Sequence, residues 1–96
     1  MRYLYKEKYL KQFARLTPAE QSLVVSSDKE IRNFYKEGKA PQGLGIKKLY
    51  DNGKERTFEA RASSRIRIVW VEAEGVAVFV VLGSHDEVRR YIKSFR

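Results

Sequence analysis

Glu59 and Arg61 stand two residues apart in a stretch where polar and apolar residues alternate, and Arg65 and Arg67 repeat that spacing after Ser63-Ser64. Residues two apart in an extended strand share a face, so each pair is presented together. Hairpin pairing of the two stretches brings all four onto one surface. Together they make a charged floor on that side of the sheet. The same pattern suits a plain polar sheet face held by cross-strand Glu–Arg pairs, and periodicity alone does not choose between that and a functional surface. His85 is the one histidine. It sits where an apolar stretch gives way to an amphipathic one, a junction that often carries function, and imidazole exchanges a proton near neutral pH. It is equally suited to a local hydrogen bond with the backbone. Tyr91 lies between the apolar Val88 and Ile92, so packing and catalysis both remain open for it. Lys47 and Lys48 face either solvent or phosphate.

Other chemistries are excluded. The chain has no cysteine, which removes disulfides, thiolate metal sites and thiol catalysis. One histidine with scattered carboxylates is no metal cluster. Gly43 and Gly45 lack the continuation of a phosphate-binding loop. Neither a metal nor a cofactor is expected.

The elements that must position these residues follow from the pattern. Arg2 to Tyr5 reads as a short strand. Tyr9, Phe13 and Leu16 then recur at helical spacing, with Leu10 broadening that face. Thr17-Pro18-Ala19-Glu20 is a strong helix start: Thr17 caps, Pro18 suits the first helical position and Glu20 completes a capping box. Glu20, Val24, Ser27, Ile31 and Phe34 continue at helical spacing with Leu23 beside them, and Gly38 is the expected stop. The two helices form an antiparallel hairpin. Lys39 to Gly45, with Pro41, Gly43 and Gly45, is a loop, and Asp51-Asn52-Gly53 is a turn. Three strands of an antiparallel meander follow, broken at Ser63-Ser64 and Glu74-Gly75. Phe58, Ala60, Ile66, Ile68 and Trp70 form the face that packs on the helices, opposite a charged floor. Val76 to Leu82 is an apolar run suited to a central strand. Ser84 and Glu87 have capping-box spacing, and Val88, Ile92 and Phe95 line one face of a closing helix.

At 96 residues the chain fits one domain, residues 1–96, of α+β class with a single helix-on-sheet core. Its 20 basic and 12 acidic residues give a formal charge of +8. So large a positive field on so small a body favours RNA, DNA, the ribosome or an acidic protein. No stretch has the apolar length needed to span a bilayer. Met1 to Lys11 carries charges throughout and lacks an apolar signal-peptide core, so a cytoplasmic location without membrane attachment is expected.

Three stretches in order resemble the RelE/ParE toxin superfamily. Thr57-Phe58-Glu59-Ala60-Arg61 is similar to that family's aromatic-Glu-Leu-Arg strand, with Ala60 where leucine is usual. Ser64-Arg65-Ile66-Arg67-Ile68-Val69-Trp70 is similar to its Tyr-Arg-apolar-apolar-Tyr strand, with Ser64 at an aromatic position and Arg67 interrupting the apolar stretch. Val80-Val81-Leu82-Gly83-Ser84-His85-Asp86-Glu87-Val88 resembles its closing strand and the Gly-x-Arg/His junction, with Arg89 where tyrosine is common. The resemblance implies a RelE-like fold: short strand, two-helix hairpin, antiparallel sheet packed on helices, closing helix. It also implies the toxin of a type II toxin–antitoxin pair, of the RelE/HigB-like mRNA interferase kind. Such a toxin cuts mRNA on the ribosome without a metal, by attack of a ribose 2′-hydroxyl on the adjacent phosphate. Carried over, Glu59 is the base, Arg65 with Arg61 stabilises the transition state, His85 is the acid and Tyr91 matches a C-terminal tyrosine. Lys47, Lys48, Arg67 and Arg89 are the expected substrate-binding cations. The implied partners are the ribosome, mRNA and a cognate antitoxin whose acidic or amphipathic segment wraps the basic surface in a hetero-oligomer. The same scaffold also serves ParE-like inhibition of DNA gyrase, or binding without catalysis.

Overall fold

The structure, a computed structural model, describes residues 1–40 and 42–94. Pro41 of the expected loop and Phe95 of the expected last-helix face lie outside the described residues. The elements are β1 (Arg2–Tyr5), α1 (Glu7–Ala14), α2 (Pro18–Glu37), a 3-10 turn (Gln42–Leu44), β2 (Lys47–Asp51), β3 (Arg56–Arg61), β4 (Arg67–Ala73), β5 (Val76–Gly83) and α3 (His85–Lys93). They build an α+β fold around a five-stranded sheet of order β1-β5-β4-β3-β2.

The local signals act as their chemistry requires. Thr17 Oγ1 accepts the Glu20 N–H and Glu20 Oε1 accepts the Thr17 N–H, so two orphan donors at the start of α2 are satisfied reciprocally. Gly38 ends α2 at φ 74°, with its N–H donating to Phe34 O at 2.7 Å. Only glycine takes that left-handed conformation at little cost. Glu74 and Gly75, at φ 47° and 77°, make the two-residue turn between β4 and β5. α1 has 8 residues, too few to hold as an isolated helix. Burial of Tyr9 against the sheet stabilises it.

The main core lies between the sheet and the α1–α2 hairpin. Tyr9, Val24 and Ile31 from the helices meet Ala60, Ile68, Trp70, Ala77, Phe79 and Leu82 from the strands. Four rings form a row across neighbouring strands. Tyr5 stacks on Phe79 at 4.7 Å, Phe79 meets Trp70 at 5.9 Å, and Trp70 stacks on Phe58 at 5.6 Å. The Trp70 Nε1–H donates to the Tyr35 hydroxyl at 2.7 Å and so joins the row to α2. Tyr5 donates to Asp28, whose other oxygen takes Arg32 Nε at 2.7 Å. The Tyr9 hydroxyl is buried without a hydrogen-bond partner.

The structure adds to the sequence reading in four places. The meander is present as β3–β4–β5, and two further strands flank it: β2 pairs antiparallel with β3, and β1 pairs parallel with β5. The second sheet face is not a bare charged floor. α3 lies on it, packing Val88 against Val69 and Val81. An apolar run such as Val76 to Leu82 needs cover on both faces, and α3 provides the second over its Val81 end. Arg65 precedes β4, in the bend after β3, where Ser63 Oγ accepts the Arg65 and Ile66 N–H groups. Leu10 and Leu23 are 52% and 46% exposed, because the hairpin meets the sheet on one side only and its apolar stripe is wider than that contact.

Two outcomes follow. Thr17→Ala removes one half of the α2 capping box and is expected to cost about 1 kcal/mol, read as a lower urea midpoint at unchanged slope. Burial, reinforced by the hydrogen bond to Asp28, pushes the Tyr5 phenol up to about 12, and burial also raises Tyr9 and Tyr35. Phenols of the unfolded chain lose their protons near 10, so the folded state holds more protons above that pH. Stability is therefore expected to be full below about pH 10 and to fall as pH rises toward about 12, with the urea midpoint and the phenolate absorbance changing together.

Candidate active site

Strand register gathers the polar groups at one end of the sheet. Arg61 of β3 lies opposite Arg67 of β4, and Arg67 lies opposite Gly83 of β5. Ser84 then caps α3, which places His85 at its first position. On the next strand outward, Lys47 of β2 lies opposite Glu59. Between β2, β3 and α3 is a cleft of about 340 Å³ lined by Lys47, Leu49, Glu59, His85, Val88, Arg89, Ile92 and Lys93. His85, Arg89 and Lys93 recur at i, i+4 and i+8, so one flank of α3 supplies them all.

Glu59 lies on the floor. Its side chain is 8% exposed, and Arg67 Nη1 donates to its Oε1 at 3.2 Å. The pair sits diagonally across β3 and β4. Beside it is Val69, the cross-strand partner of Glu59. A carboxylate this buried needs such a partner, since an unpaired charge here costs several kcal/mol on the order of the desolvation penalty. His85 is mainly exposed, and its Nδ1 stands 3.9 Å from Asp86 Oδ1, beyond hydrogen-bond reach.

The remaining expected residues separate. Arg61 and Arg65 are exposed at the same sheet end, outside the lining of the cleft. Lys48 belongs elsewhere: its cross-strand partner is Phe58, which packs on Trp70 at the opposite face, and its Nζ meets Asp51 at 3.0 Å. Tyr91 lies on the other flank of α3. It lines a separate cavity of about 670 Å³ with Leu4, Tyr50, Thr57, Val71 and Val78. Burial, then the nearby Glu55 charge, raises its phenol above the usual range, which favours the protonated form. Lys93 was not singled out from the sequence. The four-residue step from His85 through Arg89 on one helix points to it.

The arrangement suits an anionic substrate. Three cations, Lys47, Arg89 and Lys93, stand with the His85 imidazole around a carboxylate already matched by Arg67. Cations aimed at a developing negative charge stabilise a transition state, and imidazole with carboxylate supplies proton transfer. Among the described residues no group of three or more His, Cys, Asp or Glu could hold a metal ion.

A scan against protein-family models finds no match, and a search of curated proteins finds none. Solved structures do match in fold. A chain of the crystal structure of an archaeal RelE–RelB complex from Pyrococcus horikoshii OT3 superposes with a TM-score of 0.68 at 17% identity, over 86% of this chain and 92% of that one. A copper-bound mutant toxin from Helicobacter pylori gives 0.64 at 16% identity, over 92% and 98%. The fold is RelE-like.

Removing Arg67 leaves the Glu59 carboxylate buried without its partner. Arg67→Ala is expected to destabilise the fold by about 2–3 kcal/mol, whereas a paired Glu59→Met, Arg67→Met replacement recovers most of the loss. Urea unfolding of the single and double variants checks this.

Proposed function

We propose that this chain is the toxin of a toxin–antitoxin pair and acts as a ribosome-dependent, metal-independent mRNA endonuclease. The observation that carries the reading is the cleft in which Glu59, His85 and three cations from β2 and α3 face one small volume. The RelE-like fold, shared with the two solved structures, supports the toxin role. The complex from Pyrococcus horikoshii supports a cognate antitoxin as partner. An acidic or amphipathic segment suits a chain of charge +8. The ribosome and mRNA are the matching polyanions, and the cytoplasm is the matching compartment. No described helix is long and apolar enough to cross a membrane.

In this reading the ribose 2′-oxygen attacks the adjacent phosphorus, the bond to the 5′-oxygen breaks, and the products are a 2′,3′-cyclic phosphate and a 5′-hydroxyl. Glu59, the one carboxylate lining the cleft, takes the 2′-hydroxyl proton, and Arg67 limits its swing. His85 gives a proton to the departing 5′-oxygen. Lys47, Arg89 and Lys93 neutralise the phosphate. Arg61, Arg65 and Arg67 extend the positive field along the sheet end toward the flanking phosphates. Tyr91 stands apart on the other flank of α3, and Lys48 on the other face of the sheet, so neither has a role in this step.

Expression of the wild type is expected to arrest growth and leave cuts within ribosome-bound codons, mapped by primer extension. His85→Ala is expected to lower cleavage about 10²–10⁴-fold with native circular dichroism. Growth arrest with intact mRNA and loss of DNA supercoiling would instead assign the chain to gyrase inhibition. Normal growth would assign it to binding without catalysis.

A further inference from the structure

Asp86, at 3.9 Å, is the only polar contact of the His85 ring among the described residues, and the side chain is 59% exposed. No hydrogen bond to the ring therefore sets where the imidazole stands. The backbone of the first turn of α3 does so, and that turn is held from α1, across the end of the sheet. Gln12 Nε2 donates to Glu87 Oε2 at 3.0 Å, and Gln12 Oε1 accepts the Leu82 N–H at 3.0 Å. The other Glu87 oxygen accepts the Ser84 N–H at 3.1 Å, and Ser84 Oγ accepts the Glu87 N–H at 3.2 Å. One amide side chain thus joins the last residues of β5 to the first turn of α3.

Two details show that this bridge is more than a helix cap. Pairing of β1 with β5 ends at Phe79, so the β5 edge beyond it has no neighbouring strand, and Gln12 takes that place at Leu82. Gly83 has no left-handed φ, so conformational freedom does not explain it. A Cβ there would fall 2.6 Å from Glu87 Oε1, so a larger residue at 83 would push the end of the Glu87 side chain from its place. The carboxylate lies against the glycine backbone, and the bridge holds it there.

We propose that Gln12 and Glu87 are positioning residues for His85, setting where the imidazole stands at the cleft that Glu59 floors. The proposal rests on the reading of that cleft as the phosphodiester site. Two variants test it: Gln12→Ala, which opens the bridge, and the exchange Gln12→Glu with Glu87→Gln, which rebuilds it with donor and acceptor reversed. Each is read by kcat and KM for ribosome-dependent mRNA cleavage and by the imidazole NMR signals of His85, unambiguous because it is the one histidine. Gln12→Ala is expected to lower kcat about 10–100-fold at a KM within about twofold of wild type, as misplacement of a reacting group does. Its ring signals should shift and broaden. The exchange should restore kcat to within about threefold and return the ring signals to their native positions. Unchanged kcat and ring signals in Gln12→Ala, or losses that persist in a folded exchange variant, would overturn the proposal. If the wild type cuts no mRNA, the reading of the cleft fails, and the ring signals alone decide: native signals in Gln12→Ala overturn the bridge's role, and altered signals rescued by the exchange sustain it.

Discussion

The row of rings formed by Tyr5, Phe79, Trp70 and Phe58 is the contact on which the rest of the molecule depends. Each ring comes from a different strand, and each neighbouring pair is a register partner. A slip of one residue would turn every side chain of a strand to the other face. It would move Glu59 into the helix-facing core and Ala60 to the cleft. Locking the rings side by side therefore sets the register of β1, β5, β4 and β3 at once. That register puts Arg61 opposite Arg67 and aims Glu59 at α3, and a one-residue shift of β5 against β4 between Trp70 and Val69 then brings Gly83 opposite Arg67. The Trp70–Tyr35 hydrogen bond fixes the row to α2, so the helical layer and the site share one reference.

The other sheet face combines two demands. Val69, Val81 and Val88 exclude water beneath α3, which strengthens electrostatic effects nearby. Glu59 and Arg67 sit at the border of that small core. A pair of apolar residues of similar size would pack there at no desolvation penalty. The charges are therefore hard to account for by stability alone, and easier to account for as parts of a site. α3 serves both demands, with Val88 facing the sheet and His85, Arg89 and Lys93 facing the cleft.

Much of this was legible in the residues, where local chemistry acts alone. The Thr17–Glu20 and Ser84–Glu87 capping boxes, the Gly38 stop and the Glu74-Gly75 turn each follow from neighbours in sequence. Strand alternation puts Glu59 on the polar face and the junction after the apolar strand marks His85, whereas Arg61, two residues from Glu59, lies outside the cleft lining. What escaped was non-local. β2 carries Lys47-Lys48-Leu49-Tyr50-Asp51 and is largely exposed at a sheet edge, so no alternation of apolar residues marks it. The register of β2 sends the adjacent Lys47 and Lys48 to opposite faces. The helical turn of α3 carries Tyr91 away from His85 and brings Lys93 toward it. Gln12 is one polar residue on a short helix. Nothing in its neighbourhood announces partners at Leu82 and Glu87. The motif resemblance, carried by Thr57 to Val88, matched the fold that the solved structures share at 17% and 16% identity.

The parallel pairing of β1 with β5 has a consequence for how the chain acquires its shape. Arg2 lies against Val76, and Tyr5 against Phe79. The first strand made is thus orphaned until the penultimate element exists. The 20-residue α2 is built from local contacts, but the row of rings waits for distant partners, which slows folding relative to local topologies. During synthesis the chain carries an unpaired β1, and an α1 without the sheet that stabilises it, for most of its length, and its sheet end, with every group gathered there, assembles last.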